Sequence, residues 1–572
     1  MSGGFVVLAA PQLTVRMSKM RQLERFLVGL TLAGLSVAGC TVHPKAPPPS
    51  TDIDDSAFAD HVRVLASDDF MGRKPGTPGE DKTVSYLIEN FRKLGLKPGN
   101  DKTYVQQVPL VQITAGADAT LSAATMGGAR NLVFGKDMVI WTKRAVPEIQ
   151  VVHSELVFVG YGIVAPEYSW NDYANVDVHG KTVVVLANDP GYASKDPTVF
   201  KGNAMTEYGR LAYKVEEAAR QGAQGVLLIH DSQAMGYGWN VIQATWTGAQ
   251  FELAAAGGYA GRAAIEGWIQ NDAARALFAA VGLDFTRLAV AAAYPGFKAV
   301  PMGIKVDATL HNAIRAFNSQ NVIALWPGSR GHEYVMYTAH WDSLGVDEAR
   351  PGHSVFNGAV DNATGAAGLL ALAQSFVRTD PKPERSIAFL ATTAAEPDLL
   401  GSQYYVDNPI LPLRQTAAVI NIDSLLNGGR TRDVSILAFG NTDLEEAARA
   451  EALLQGREAH AEPNPQLGLY FRSDSFSFAR RGVPALYAQA GIDSAARGPA
   501  WGKAQIDDYF ARRYRQTSDQ YSPDWDVGGA VADLMLDYHV GLRVANSRRF
   551  PRWYPNSEFR TAHRRANDSA SD

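Results

Sequence analysis

Tyr337-Thr-Ala-His340-Trp-Asp342-Ser-Leu-Gly345 opens a stretch that continues through Gly358-Ala-Val-Asp361-Asn362-Ala-Thr-Gly365, Ala394-Ala395-Glu396-Pro-Asp-Leu-Leu-Gly401-Ser402 and Asn421-Ile-Asp423-Ser. His340 ends the apolar run Tyr334-Val-Met-Tyr337, Glu396 follows Ser386-Ile-Ala-Phe-Leu390, and Asp423 follows Ala417-Ala-Val-Ile420. Short buried runs of this kind read as strands, and the apolar-faced segment from Ala363 to Phe376, which Asp361 opens, reads as a helix. Helices between buried strands imply an α/β fold: a mixed, mostly parallel sheet with helices on both faces. In such sheets side chains converge where strands end. One neutral imidazole and three carboxylates at those ends form a ligand set suited to Zn²⁺.

Outside this stretch the texture varies. Ala57–Leu65 and Asp81–Leu94 carry helical spacing of apolar residues, and the Gly- and Pro-dense segment from Gly72 to Gly79 between them predicts loop. From about 145 to 300, short β-rich runs (Leu156-Val-Phe-Val159, Thr182-Val-Val-Val-Leu186, Gly225-Val-Leu-Leu-Ile229) alternate with loops and a helix at Tyr213–Gln221, which predicts a separate α/β-to-β module. With 572 residues the chain exceeds one ordinary core. The resulting division is 1–40 leader, 41–55 Pro-rich linker, 56–144 and 301–548 as two parts of one domain, 145–300 as an insert, and 549–572 as a flexible tail.

A net charge of −5 supplies no phosphate-tracking surface, so nucleic acid is not an expected partner. The single cysteine, Cys40, excludes an internal disulfide and any Cys-based metal site. It follows Lys19, Arg21, Arg25 and a short apolar run ending Leu35-Ser-Val-Ala-Gly39. That order resembles a bacterial lipoprotein signal, in which the cysteine is lipidated. The expectation is a lipid anchor at Cys40 and a place in the bacterial cell envelope, at the outer membrane facing the periplasm.

The chain resembles the M28 family of zinc aminopeptidases, in the bacterial form with an inserted protease-associated domain. The resemblance covers about residues 56–548 and includes Phe158-Val-Gly-Tyr-Gly-Ile-Val-Ala-Pro166, Asp177-Val-His-Gly-Lys-Thr-Val-Val-Val185, Tyr208-Gly-Arg210 and Gly236-Tyr-Gly-Trp-Asn240. It implies two zinc ions, peptides with free N-termini as substrates, and attack by a metal-activated water. By position, His340 and Asp423 would hold one zinc, Asp361 would bridge, and Glu396 would ligate the second. Asp342 would orient the His340 ring from behind.

Two positions depart from that pattern. The family places a glutamate proton shuttle immediately before the ligand glutamate, and here Ala395 precedes Glu396. The last ligand is normally the histidine of Tyr-His-x-x-x-Asp, and here the stretch reads Tyr514-Arg515-Gln-Thr-Ser-Asp519. A methyl group moves no proton, and a guanidinium does not coordinate. Ser343 and Ser475 also replace residues that are often histidine, and Asp398 stands where glycine is usual. The expectation is therefore one metal, an Arg515–Glu396 ion pair in place of the other, and hydrolysis weak or lost. The alternatives are an active aminopeptidase using another shuttle (Asp398 is nearest in sequence), a non-catalytic binding protein for peptides or an envelope partner, and a one-zinc acyltransferase like the glutaminyl cyclases.

Overall fold

The structure, a computed structural model, describes residues 50–560 apart from 126, 256–258, 349–350 and 397. Cys40, the apolar run before it and the tether through Pro49 lie outside the described residues. Among the described residues no helix is long and apolar enough to cross a membrane.

The site is carried by a mixed sheet whose middle is parallel. Its order in space is Ala249–Leu253, Val105–Ala115, the second half of Val300–Trp326, Arg385–Thr392, Arg330–His340, Thr416–Asn421, Ala485–Ala490, Asp433–Ile436 and Glu458–Ala461. Arg385–Thr392, Arg330–His340, Thr416–Asn421 and Ala485–Ala490 run parallel. All eight residues of Arg385–Thr392 are buried, as a parallel strand covered on both faces requires. Alternation along Arg330–His340 shows the two layers. Val335, Tyr337 and Ala339 pack with helices Thr364–Arg378 and Gly528–Asn546, while Tyr334 and Met336 pack with Tyr405 and Phe478 of the opposite layer.

A second sheet takes the order Gly128–Leu132, Thr120–Thr125, the first half of Val300–Trp326, Glu148–Phe158, Thr182–Leu186, Gly225–Ile229, Ile265–Ile269 and Met138–Trp141. It recruits strands on both sides of 145–300. The 27-residue strand Val300–Trp326 belongs to both sheets and joins them.

Two local expectations change. Gly72–Gly79 is more than loop: Asp68–Arg73 forms a 3₁₀ turn, and Pro78 starts the helix Pro78–Lys93, with the Thr77 hydroxyl accepting from the Gly79 amide at 3.3 Å. Proline fits the first helical turn because its missing N–H has no partner there. The tail expected from 549 is packed as far as Phe559. Trp553 and Phe559 are buried against Tyr470 and Phe476, and Trp553 donates from Nε1 to the Gly482 carbonyl at 3.0 Å. Two aromatic anchors outweigh the polar composition around them.

Candidate metal centre

Every predicted ligand sits just beyond the C-terminal end of a parallel strand or at a helix entry beside one. His340 is the last residue of its strand, and Asp423 lies two residues beyond Asn421. Asp361 occupies the non-helical turn before helix Thr364–Arg378. A small residue permits that turn to sit so close: a Cβ on Gly365 would come within 2.6 Å of the Ile422 carbonyl oxygen. The helix entry is thereby held against the strand end that carries Asp423.

His340 Nε2 lies 3.2 Å from Asp361 Oδ1 and 3.6 Å from Asp423 Oδ1. Among the described residues, His340, Asp361 and Asp423 form a group whose ligand atoms all lie within 4.8 Å of one another. Burial opposes charging His340, but the Asp423 charge and hydrogen bonds to the surrounding carboxylates outweigh it and raise its pKa well above the ordinary value. The two carboxylates divide: burial raises Asp423, whereas in Asp361 hydrogen bonding and charge from His340 overcome burial and lower it. A divalent ion would compete for this position with the His340 proton. One borderline nitrogen and two carboxylate oxygens fit a single Zn²⁺, and these three residues would hold it.

Asp342 stands behind the His340 ring with both its backbone carbonyl and its carboxylate. Its backbone carbonyl is the nearer partner of His340 Nδ1, at 3.2 Å, with carboxylate Oδ1 at 3.6 Å. The carboxylate itself accepts from the amides of Ala395 and Glu396 at 3.1 and 3.3 Å. Asp342 therefore ties the His340 strand to the loop that carries Ala395 and Glu396.

That loop builds the other half of the site. Arg515 Nη2 forms an ion pair with Glu396 Oε2, and both side chains are nearly buried. The Arg515 backbone has φ 55, in the left-handed region, as have Ala394 (φ 47) and Ser424 (φ 52) beside two other site residues. Non-glycine residues rarely adopt that region, and such backbone strain concentrates at sites that the surrounding packing fixes. Glu396 is thereby paired with a cation, and Arg515 offers no lone pair for coordination. Ala395 lines the cavity at the shuttle position. Asp398 is held away from it by Lys143, which also lies 3.7 Å from Glu252. Burial works against charge on Lys143, but the Asp398 and Glu252 carboxylates keep it protonated. Ser343 donates to the Phe356 carbonyl at 3.2 Å, and Ser475 is buried.

Two positioning groups escaped the sequence reading. Arg73 is fully buried and donates to four carbonyls: Leu65 (2.7 Å), Trp341 (2.8 Å), Asn357 (2.6 Å) and Gly358 (2.9 Å). It braces the approach to Asp361, and burial lowers its pKa to about 10. Asp519 accepts from the Val360 and Asp361 amides at 3.0 and 3.1 Å, and burial pushes it up to about 7. Nothing in the loop around Arg73 marks it from sequence. Asp519 stood in the Tyr514–Asp519 pattern without an assigned task.

His340, Asp361, Asp423, Glu396, Arg472 and Arg515 share the wall of a cavity of about 650 Å³, completed by apolar side chains, tyrosines, Ser424 and Gln489. Residues 321–539 match the model of peptidase family M28. Leucine aminopeptidase 2 of Trichophyton equinum is 30% identical over 189 residues, 32% of this chain and 36% of that protein. Its namesake in Trichophyton rubrum is 29% identical over the same shares. The chain thus spans about a third of the length of the curated relatives it matches. Among solved structures, the aminopeptidase from Aneurinibacillus sp. strain AM-1 is similar in fold, with a TM-score of 0.50 at 20% identity, covering 88% of this chain and 95% of that one. Residues 321–539 thus form a segment that matches peptidase family M28.

Proposed function

We propose that this protein keeps the M28 aminopeptidase scaffold as a one-metal, peptide-binding form whose hydrolysis of N-terminal residues is weak or absent. The observation that carries this reading is the Arg515–Glu396 ion pair, a fixed positive charge at the place the resemblance assigns to a second zinc. Ala395 reinforces it, because general acid–base catalysis contributes roughly 10²–10⁴-fold and no described carboxylate stands in its place. In this reading His340, Asp361 and Asp423 hold one zinc. When bound, that ion supplies Lewis acidity at the cavity floor; Asp342 fixes the loop opposite, and Arg515 holds Glu396 out of coordination. The second sheet acts as the protease-associated module, and lipidated Cys40 anchors the protein at the cell envelope.

The competing reading is an active aminopeptidase, supported by the matched segment in the Trichophyton leucine aminopeptidases. Zinc counting on purified protein, together with turnover of aminoacyl-p-nitroanilides by the wild type and by Ala395→Glu/Arg515→His, separates the two. We expect one zinc and little wild-type turnover, with activity gained in the double variant. Two tightly bound zincs per chain, or wild-type turnover at the level of an ordinary family member, would overturn the proposal.

A further inference from the structure

The cavity holds three carboxylates, and none is free to receive an ammonium group. Asp361 and Asp423 face His340, and Glu396 is taken by Arg515. The cation balance is the reverse. Arg472, at the end of the 3₁₀ turn Leu469–Arg472, lines the same cavity and has no ion-pair partner among the described residues. Its guanidinium donates from Nη2 to the Tyr514 hydroxyl at 2.7 Å and lies over the Tyr237 and Tyr514 rings, 5.1 and 5.5 Å from their centroids. Tyrosine faces and a phenol orient a guanidinium without neutralising it.

Arg472 and Arg515 also wall a second cavity of about 650 Å³, formed with Tyr237, Trp246 and Trp268. The carboxylate lining that cavity, Asp398, is held by Lys143, while Arg210, over the Phe476 ring at 4.0 Å, adds another guanidinium. Across both cavities each lining carboxylate has a cationic or imidazole partner, and Arg472 keeps unused donors where they meet. A planar guanidinium with free N–H groups matches a carboxylate. Leu426, Leu469, Ile506 and Phe510 beside it provide apolar surface for one side chain.

We propose that Arg472 makes this cavity a receptor for the C-terminal carboxylate of a peptide ending in an apolar residue, so that the charge preference is opposite to that of a site for free N-termini. This deepens the one-metal reading and rests on it, since it takes Arg515 as the standing partner of Glu396.

Calorimetric titration of the full chain, treated with EDTA so that no metal ion contributes, tests it with two probes. N-acetyl-L-leucine offers a carboxylate and no ammonium; L-leucinamide offers the reverse. We expect N-acetyl-L-leucine to bind at least tenfold more tightly, Arg472→Gln to abolish the preference, and Arg472→Lys to retain part of it. Equal or tighter binding of L-leucinamide by the wild type overturns the proposal, whether or not the variants fold. A preference that survives in folded Arg472→Gln also overturns it. A count of two zincs in the metal-loaded protein speaks instead against the one-metal reading, so the two failures are separable.

Discussion

The two halves of the site solve the same electrostatic problem with different cations. On one side Asp361 and Asp423 surround His340, a group that would give up its proton to accept a metal. On the other, Glu396 faces Arg515, whose charge is permanent. A buried carboxylate needs a positive partner in either case. Under the proposed one-metal reading the first half is exchangeable and the second is closed by a covalently attached charge. On that reading a metal position is given up while the charge balance of the buried carboxylate is kept.

The largest expected effect comes from removing the permanent charge. Arg515→Met strands Glu396 in a buried setting, and unpairing a buried ion pair costs roughly 3–5 kcal/mol, to be read from urea unfolding in EDTA. Unchanged stability would mean that Glu396 is neutral or hydrated, and the contrast between the halves would fail. His340→Ala attacks the exchangeable half: zinc affinity should fall at least about 100-fold, a loss of about 2.7 kcal/mol, while Arg515 and Glu396 stay paired. Zinc retained in that variant would place the ion elsewhere.

A smaller effect concerns the support of the Glu396 loop. Glu80 accepts from Ser319, whose hydroxyl lies 2.5 Å from that of Thr393, and burial raises the Glu80 pKa to about 7. The folded chain therefore binds a proton that the unfolded chain has lost. Stability from this group is full below about 4.5 and is lost as pH rises through about 7, a change on the order of 2–3 kcal/mol. Glu80→Gln should flatten that slope in unfolding experiments from pH 4.5 to 8; an identical slope in the variant would remove Glu80 from the account. The last variant, Lys143→Met, also breaks a buried pair and frees Asp398, while Glu252 keeps Arg262 as its partner. If turnover rose in this variant, Asp398 would become a shuttle and the closed half would be less closed than described.

The strands and the gathering of His340, Asp361 and Asp423 were legible because the signals that mark them are local. Buried runs before His340 and Asp423 are contiguous in sequence, and strand ends gather in space by the geometry of a parallel sheet. The Ala395 and Arg515 departures were readable for another reason, since a family pattern fixed what those positions should hold. Arg73 was not legible: it reaches Asn357 across 284 residues of chain, and its partners are carbonyls, which every residue carries. The Lys143–Asp398 pair, 255 residues apart, escaped for the same reason. Trp553 and Phe559 show a third limit, because the polar residues around them set the composition while the two rings set the packing.

The strand Val300–Trp326 has a mechanical consequence. At about 3.3 Å per residue an extended strand of this length acts as a girder, hydrogen-bonded to Val105–Ala115 along one half and to Glu148–Phe158 along the other. A jaw-like swing of one sheet against the other would have to bend that girder and break its ladders. The connections bearing Glu396, Arg472 and Arg515 form the wall of the cleft itself. The cleft is thus a fixed mould, and selection among ligands rests on fit and charge already in place before the ligand arrives.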